Sequence, residues 1–189
     1  MKLTQRNIIY LIGICLVAVF FGYQSMKNSL ITMQESIDSS WAQVENQLQR
    51  RYDLIPNLVT SVKAYAKHEK EIFTSIAESR SKLIGARTRQ SKLVASNGME
   101  SALSRLLMVA ERYPNLKADA NFRRLMDELS GTENRLSVER RRFNENVKVY
   151  NRTIRKFPYR YVAQNAGFDK QDYFKIKEQA KEAPVVDFN

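Results

Sequence analysis

The chain has 189 residues, with 31 Lys and Arg against 20 Asp and Glu, a formal net charge of +11. Its 43% hydrophobic and 27% charged residues suit a folded chain and are too apolar for a disordered one, while scarce Gly (6) and Pro (4) argue against sheet-rich and loop-rich architectures. One Cys and one His exclude an intramolecular disulfide framework, a Cys/His zinc site and a di-iron bundle built on two Glu-x-x-His motifs.

No charge occurs between Arg6 and Lys27, and Ile8 to Tyr23 is almost wholly apolar. A helix of roughly 20 such residues crosses the hydrocarbon of a bilayer. Tyr10 and Tyr23 would sit near the two headgroup levels. A cleaved signal peptide is the competing reading, but its apolar core is normally about 7–15 residues long. Val19-Phe20-Phe21-Gly22-Tyr23 is also a poor cleavage context, and Ile14 before Cys15 spoils a lipoprotein box. An uncleaved single-pass anchor is therefore expected, with Cys15 facing lipid or a neighbouring helix. Lys2 and Arg6 flank its short side, while Lys27, Glu35 and Asp38 follow the other. The positive-inside rule then puts the N-terminus in the cytoplasm and the bulk domain outside it.

From Leu30 the apolar residues step by three and four through Met33, Ile37, Trp41, Val44, Leu48, Tyr52 and Ile55, a heptad-like stripe. Pro56 removes an amide donor, so a break or kink is expected there. Asp53 and Asn57 would cap the next helix, and Arg50 and Arg51 would pair with acids such as Glu133 or Glu139. A second stripe runs Leu58, Val62, Tyr65, Ile72, Ile76, Leu83 and fades at Gly85; Asn97-Gly98 reads as a turn. A shorter helix follows from Met99 to Ala110, closed by Arg112-Tyr113-Pro114-Asn115.

The longest pattern joins Phe122, Leu125, Leu129, Leu136, Phe143, Val147, Tyr150, Ile154 and Phe157, ending at Pro158. Its core positions fall twice on polar residues, Thr132/Glu133 and Glu139/Arg140. Such layers either fix register or tilt out to solvent, and solvent is the expectation. Beyond Pro158, Tyr159 to Phe168 should fold back over the bundle end, Asp172 to Glu182 should form a short helix, and Pro184 to Asn189 a tail. The expected fold is all-α: an N-terminal transmembrane helix, then an elongated antiparallel bundle of about four long helices. Its segments are 1–26 (anchor), 27–160 (bundle) and 161–189 (short helix and tail).

These stripes contain recognisable strings. Trp41-Ala42-Gln43-Val44, then Gln47-Leu48-Gln49-Arg50-Arg51-Tyr52-Asp53-Leu54-Ile55-Pro56-Asn57-Leu58-Val59 and Val62-Lys63-Ala64-Tyr65-Ala66-Lys67-His68-Glu69, form a first block. Glu111-Arg112-Tyr113-Pro114-Asn115-Leu116-Lys117-Ala118 with Phe122 forms a second. Glu128-Leu129, Thr132-Glu133-Asn134-Arg135, Arg141, Tyr150-Asn151 and Phe157-Pro158 form a third, and Tyr173-Phe174 and Ala183-Pro184-Val185-Val186-Asp187-Phe188 close the series. In order and spacing, from about Ser25 onward, they resemble the LemA family. The resemblance implies a bacterial-type single-pass membrane protein with a helical-bundle domain, and it implies no particular reaction.

His68 is the sole candidate for general acid/base work, with Glu69 and Glu71 nearby. No nucleophile is paired with it by sequence and no Gly-rich phosphate loop occurs, so no catalytic, cofactor-binding or metal-ligating residue is assigned. Net charge is +3 over residues 27–100, +7 over 101–160 and −1 over 161–189. The excess gathers in the local clusters Arg123-Arg124, Arg140-Arg141-Arg142 and Arg155-Lys156; the first two are candidate contacts for an acidic protein or anionic lipid, with nucleic acid not expected. An anchored first helix longer than its cover would leave Leu30, Ile31, Met33 and Ile37 as an apolar surface for a second copy. The expected role is a non-enzymatic membrane scaffold or assembly protein, associating with itself, with membrane lipids and with other membrane proteins. The alternative is an adaptor or envelope-stress component acting through the basic helices.

Overall fold

The computed structural model describes residues 5–174, with side chains from residue 7, and these residues are helical with no strand among them. Six helices follow in order: α1 Gln5–Tyr65, α2 Lys70–Ile84, α3 Arg89–Ala110, α4 Pro114–Ala118, α5 Ala120–Thr153 and α6 Tyr159–Ala166. The expected all-α fold is thus observed. The residues group into two compact units, the first made of α1 to Ala42 with Arg141–Tyr173, the second of Gln43–Arg140 with Phe174.

The first unit is an antiparallel pairing of α1 with the end of α5. Asn146 Nδ2 donates to the Ser36 carbonyl at 3.1 Å, and the Trp41 and Phe143 rings meet edge-on at 5.5 Å. Leu30, Ile37, Trp41, Phe143, Val147 and Tyr150 are all buried. The chain then turns over residues 154–158, where the Phe157–Pro158 peptide is cis, into α6, which buries Val162 and Ala163. Gly167 ends α6 at φ 72°, a left-handed position that suits glycine because a Cβ would clash with its own backbone.

The second unit is a four-helix bundle. The Glu45–Lys92 and Arg51–Glu100 contacts make α1 and α3 parallel, and Arg51–Glu133 with Tyr65–Asp119 make α5 antiparallel to α1. Between them α2 returns along α3. Thr88 opens α3 with a reciprocal cap on Ser91, and Asp119 opens α5 by accepting the Phe122 amide proton at 2.9 Å. The core holds Val44, Leu48, Ile55, Leu58, Val62, Met99, Leu103, Leu106 and Leu136.

Three expectations are corrected. Pro56 lies inside α1, which continues to Tyr65. The interior proline costs about 3 kcal/mol, but Tyr52, Ile55, Leu58 and Val62 are all buried on that one face, and burying each such side chain returns about 1.5–3 kcal/mol. The break falls instead at residues 66–69, so Asp53 and Asn57 cap nothing; Asp53 accepts a hydrogen bond from Gln49 at 2.8 Å. Asn97-Gly98 lies within α3, because Leu93, Ser96, Met99 and Leu103 continue a buried stripe across it. Finally, Asp172–Phe174 are not helical; the rest of that expected helix, and the tail, lie outside the described residues.

Candidate functional site

In the second unit two arginines and two glutamates interlock. Arg51 Nη1 bonds Glu133 Oε2 and lies 4.0 Å from Glu100 Oε1. Arg140 reaches Glu100 Oε2 and Glu133 Oε1, each at 3.7 Å, and its guanidinium carbon lies 4.6 Å from the Phe174 ring centre. Each guanidinium therefore faces two carboxylates. The arginine side chains are only 12% and 9% exposed, the glutamates 39% and 37%. The charges cancel within the layer, which is the condition for burying them. Thr132 is buried beside this layer in sequence, donating to the Leu129 carbonyl at 2.7 Å. The polar positions Thr132 and Arg140 thus turn inward, correcting the expectation that they tilt out.

Tyr52 sits next to Arg51 with its hydroxyl buried beside Ser96 and without a hydrogen bond of normal geometry. Burial pushes its pKa up to about 12, against smaller opposing pulls from Arg51 and the Ser96 hydroxyl. A cavity of about 150 Å³ opens here, lined by Leu48, Tyr52, Leu83 and Ile84 and rimmed by Glu45, Asp53, Arg80 and Lys92. It is smaller than a drug-sized ligand site, typically about 300–1,000 Å³. His68 is exposed in the turn between α1 and α2, and its neighbour Glu69 lies 3.9 Å from Arg112.

The first unit carries a different pair of functional surfaces. Ile8, Ile9, Leu11, Ile12, Ile14, Leu16, Val17, Val19, Phe20 and Phe21 are all exposed on α1. This helix is long and apolar enough to cross a membrane. On α5, Asn151 is 1% exposed and clamps the irregular segment after α6. Its Nδ2 donates to the Gln171 carbonyl at 2.8 Å and its Oδ1 accepts the Gln171 amide proton at 2.9 Å. Tyr150 Oη donates to the Asp169 carbonyl at 3.1 Å. Burial, helped by the Asp169 carboxylate, raises the Tyr150 pKa.

Of the candidate partner-binding arginines, Arg123 and Arg124 are exposed in the second unit, and Arg140 is not a surface residue at all. Arg141 and Arg142 are exposed in the first unit, and Arg142 is engaged within the chain. Of the candidate oligomer contacts, Leu30 (0% exposed) and Ile37 (1%) are core, buried within the unit that α1 forms with Arg141–Tyr173. Met33 is half-buried, and Ile31 alone is exposed. Sequence reasoning offered Arg50 and Arg51 acids such as Glu133 or Glu139, and of these the structure joins Arg51 to Glu133. Glu100 was missed; its signal was its place one residue beyond Met99 on a stripe wrongly cut at Asn97-Gly98.

A profile described as the LemA family matches residues 40–188. The chain is similar to the magnetosome protein MamQ of Magnetospirillum gryphiswaldense, 28% identical over 185 residues, covering 84% of this chain and 68% of that one. It is 27% identical over 202 residues to magnetosome protein MamQ 2 of Paramagnetospirillum magneticum, covering 93% and 74%. It is 25% identical over 160 residues to protein LemA of Metamycoplasma hominis, covering 84% and 73%. The profile spans most of the chain, takes in the Arg51–Glu100–Glu133–Arg140 layer and the Tyr150-Asn151 clamp, and begins beyond the apolar stretch: the chain belongs to the LemA family.

Proposed function

We propose that this protein is a single-pass, non-enzymatic membrane scaffold. One observation carries the reading: the apolar surface of residues 8–21 is exposed on the same helix whose later residues, from Leu30 to Val62, supply the buried stripe. Apolar area on that scale is left bare in water only at the cost of its transfer free energy, and a bilayer removes that cost. Because the segment is part of α1 itself, the anchor and the folded domain are joined without a linker. The relatives named for the magnetosome carry the name of a cellular structure rather than a reaction, which favours assembly over catalysis. The bulk domain lies on the extracytoplasmic side, as Lys2 and Arg6 direct, in the inner membrane of a bacterial-type cell.

Copies associate through lipid-facing positions of the anchor and the exposed Ile31, now that Leu30 and Ile37 are assigned to the core. The native mass of the full chain extracted in mild detergent tests this. The expected particle is larger than one chain plus its micelle, and Ile31→Gln shifts it toward the monomer. A wild-type monomer at all protein concentrations would overturn the scaffold reading.

A further inference from the structure

We propose that the turn between α5 and α6 is a second membrane contact, an aromatic and basic collar that seats on anionic phospholipid around the emerging α1. The proposal rests on the reading that α1 spans the bilayer. In the antiparallel pairing of the first unit, Ser36 lies opposite Asn146 and Trp41 near Phe143. Continuing that register puts the turn, residues 154–158, level with about residues 24–30 of α1. Burial agrees: Gly22, Tyr23, Met26 and Lys27 are half-covered on one face of α1, whereas Ile8 to Phe21 are bare. The turn therefore reaches the place where the apolar stretch ends.

What it presents there is unusual for a surface in water. Phe157 is 81% exposed and Tyr161 52%, their rings in edge contact at 6.2 Å. Arg160 lies over the Tyr161 ring at 5.0 Å and donates to its hydroxyl at 3.1 Å. Arg152, Arg155 and Lys156 are exposed beside them. From Asn146 to Phe168 the sequence holds five bases and no acid. Aromatic rings prefer the headgroup level, where their apolar faces leave water and their polar edges stay wet. Clustered Lys and Arg within a Debye length of an anionic leaflet are drawn to it. An exposed Phe among neighbouring bases, level with the end of a membrane span, matches a lipid surface in both respects. The apolar tips are set about 5–10 Å into the headgroup and acyl boundary.

Nitroxide labels on the full chain, in a Cys15→Ser background, test the contact in bilayers of phosphatidylcholine with and without phosphatidylglycerol. Single cysteines replace Val19, Tyr161 or, as an aqueous control, Glu145. Collisions with oxygen exceed those with a water-soluble nickel complex at 19 and 161, and the reverse holds at 145. Phosphatidylglycerol moves the label at 161 deeper, Phe157→Ser lifts it toward water, and Arg155, Lys156 and Arg160 all changed to Gln remove the lipid dependence. A label at 161 that meets nickel freely while Val19 is in the hydrocarbon would overturn the collar alone. One shielded from both relaxants would put another copy of the chain there and overturn it equally. A depth at 161 indifferent to phosphatidylglycerol would overturn the choice of an anionic surface. Water at Val19 would overturn the spanning reading beneath it.

Discussion

In the first unit, α1 and α5 bury Leu30, Ile37, Trp41, Phe143 and Val147, a seam without buried charge; in the second, the same two helices bring in Arg51, Glu133 and Arg140. An apolar heptad seam is tolerant of alignment, since a shift of one heptad again meets apolar residues. A layer of alternating charges is not: any shift strands a guanidinium in the core with no carboxylate opposite. The charged layer adds little stability and much specificity of register, while the seam does the reverse. Polar groups appear in the first unit too, but Tyr150 and Asn151 aim at backbone rather than at charge.

The comparison breaks first on the seam. Phe143→Ala removes a fully buried ring from its contact with Trp41, and about 3–5 kcal/mol should be lost in denaturant melts of the detergent-solubilised chain. Trp41, the single tryptophan, reports the same change by fluorescence. A loss below about 1 kcal/mol would mean that the seam is not a core.

Alkali sharpens the second unit. Tyr52 has its pKa raised from 10.0 to about 12, so the folded state holds the proton more tightly than the unfolded chain. The sign follows: the contribution is complete below pH 10, falls as pH rises, and is gone above about pH 12, a loss of roughly 2–3 kcal/mol. Tyr52→Phe should flatten that part of the stability profile. Since the hydroxyl lacks a well-formed partner, the same change should cost little at neutral pH.

The charged layer should show the smallest single effect and the clearest coupling. Arg140→Met leaves Glu100 and Glu133 without one partner, but both carboxylates are more than a third exposed and water can take its place. A loss of about 1–2 kcal/mol is expected. Combining it with Glu133→Gln should restore part of that loss, and strict additivity would show that the two side chains do not act as one layer.

The sequence made the stripes legible because helical periodicity is a local property, and Leu48, Val44, Leu136, Phe143 and Val147 all prove buried. Breaks were less legible because they are decided by tertiary packing. Pro56 and Asn97-Gly98 carry local signals for ending a helix, and buried neighbours on either side outweigh both. The turn after Ala66 has no comparable marker except Lys and His in a polar run. Arg51 and Glu133 could be paired from sequence because Glu133 falls at a core position of the α5 stripe and Arg51 lies beside Tyr52 on that of α1. Arg140 was read as part of a surface run because Arg141 and Arg142 follow it, and only the helical turn separates one that points inward from two that do not. The cover over Leu30 and Ile37 was hidden for a further reason. It comes from Arg141–Tyr173, more than a hundred residues away in sequence.

The hydrogen bonds from Tyr150 and Asn151 to residues 169–171 also carry the folded domain beyond α6. Among the described residues the last helix stops at Ala166 and Gly167 turns the chain, so a boundary drawn at that helix would fall there. A fragment cut at that point would strand a buried phenol and a buried amide with nothing to bond, at about 1–3 kcal/mol for each unsatisfied group. The irregular residues from Phe168 to Phe174 are therefore as much a part of the domain as the helices they follow, since they complete hydrogen bonds begun on α5 and, through Phe174, lie over Arg140.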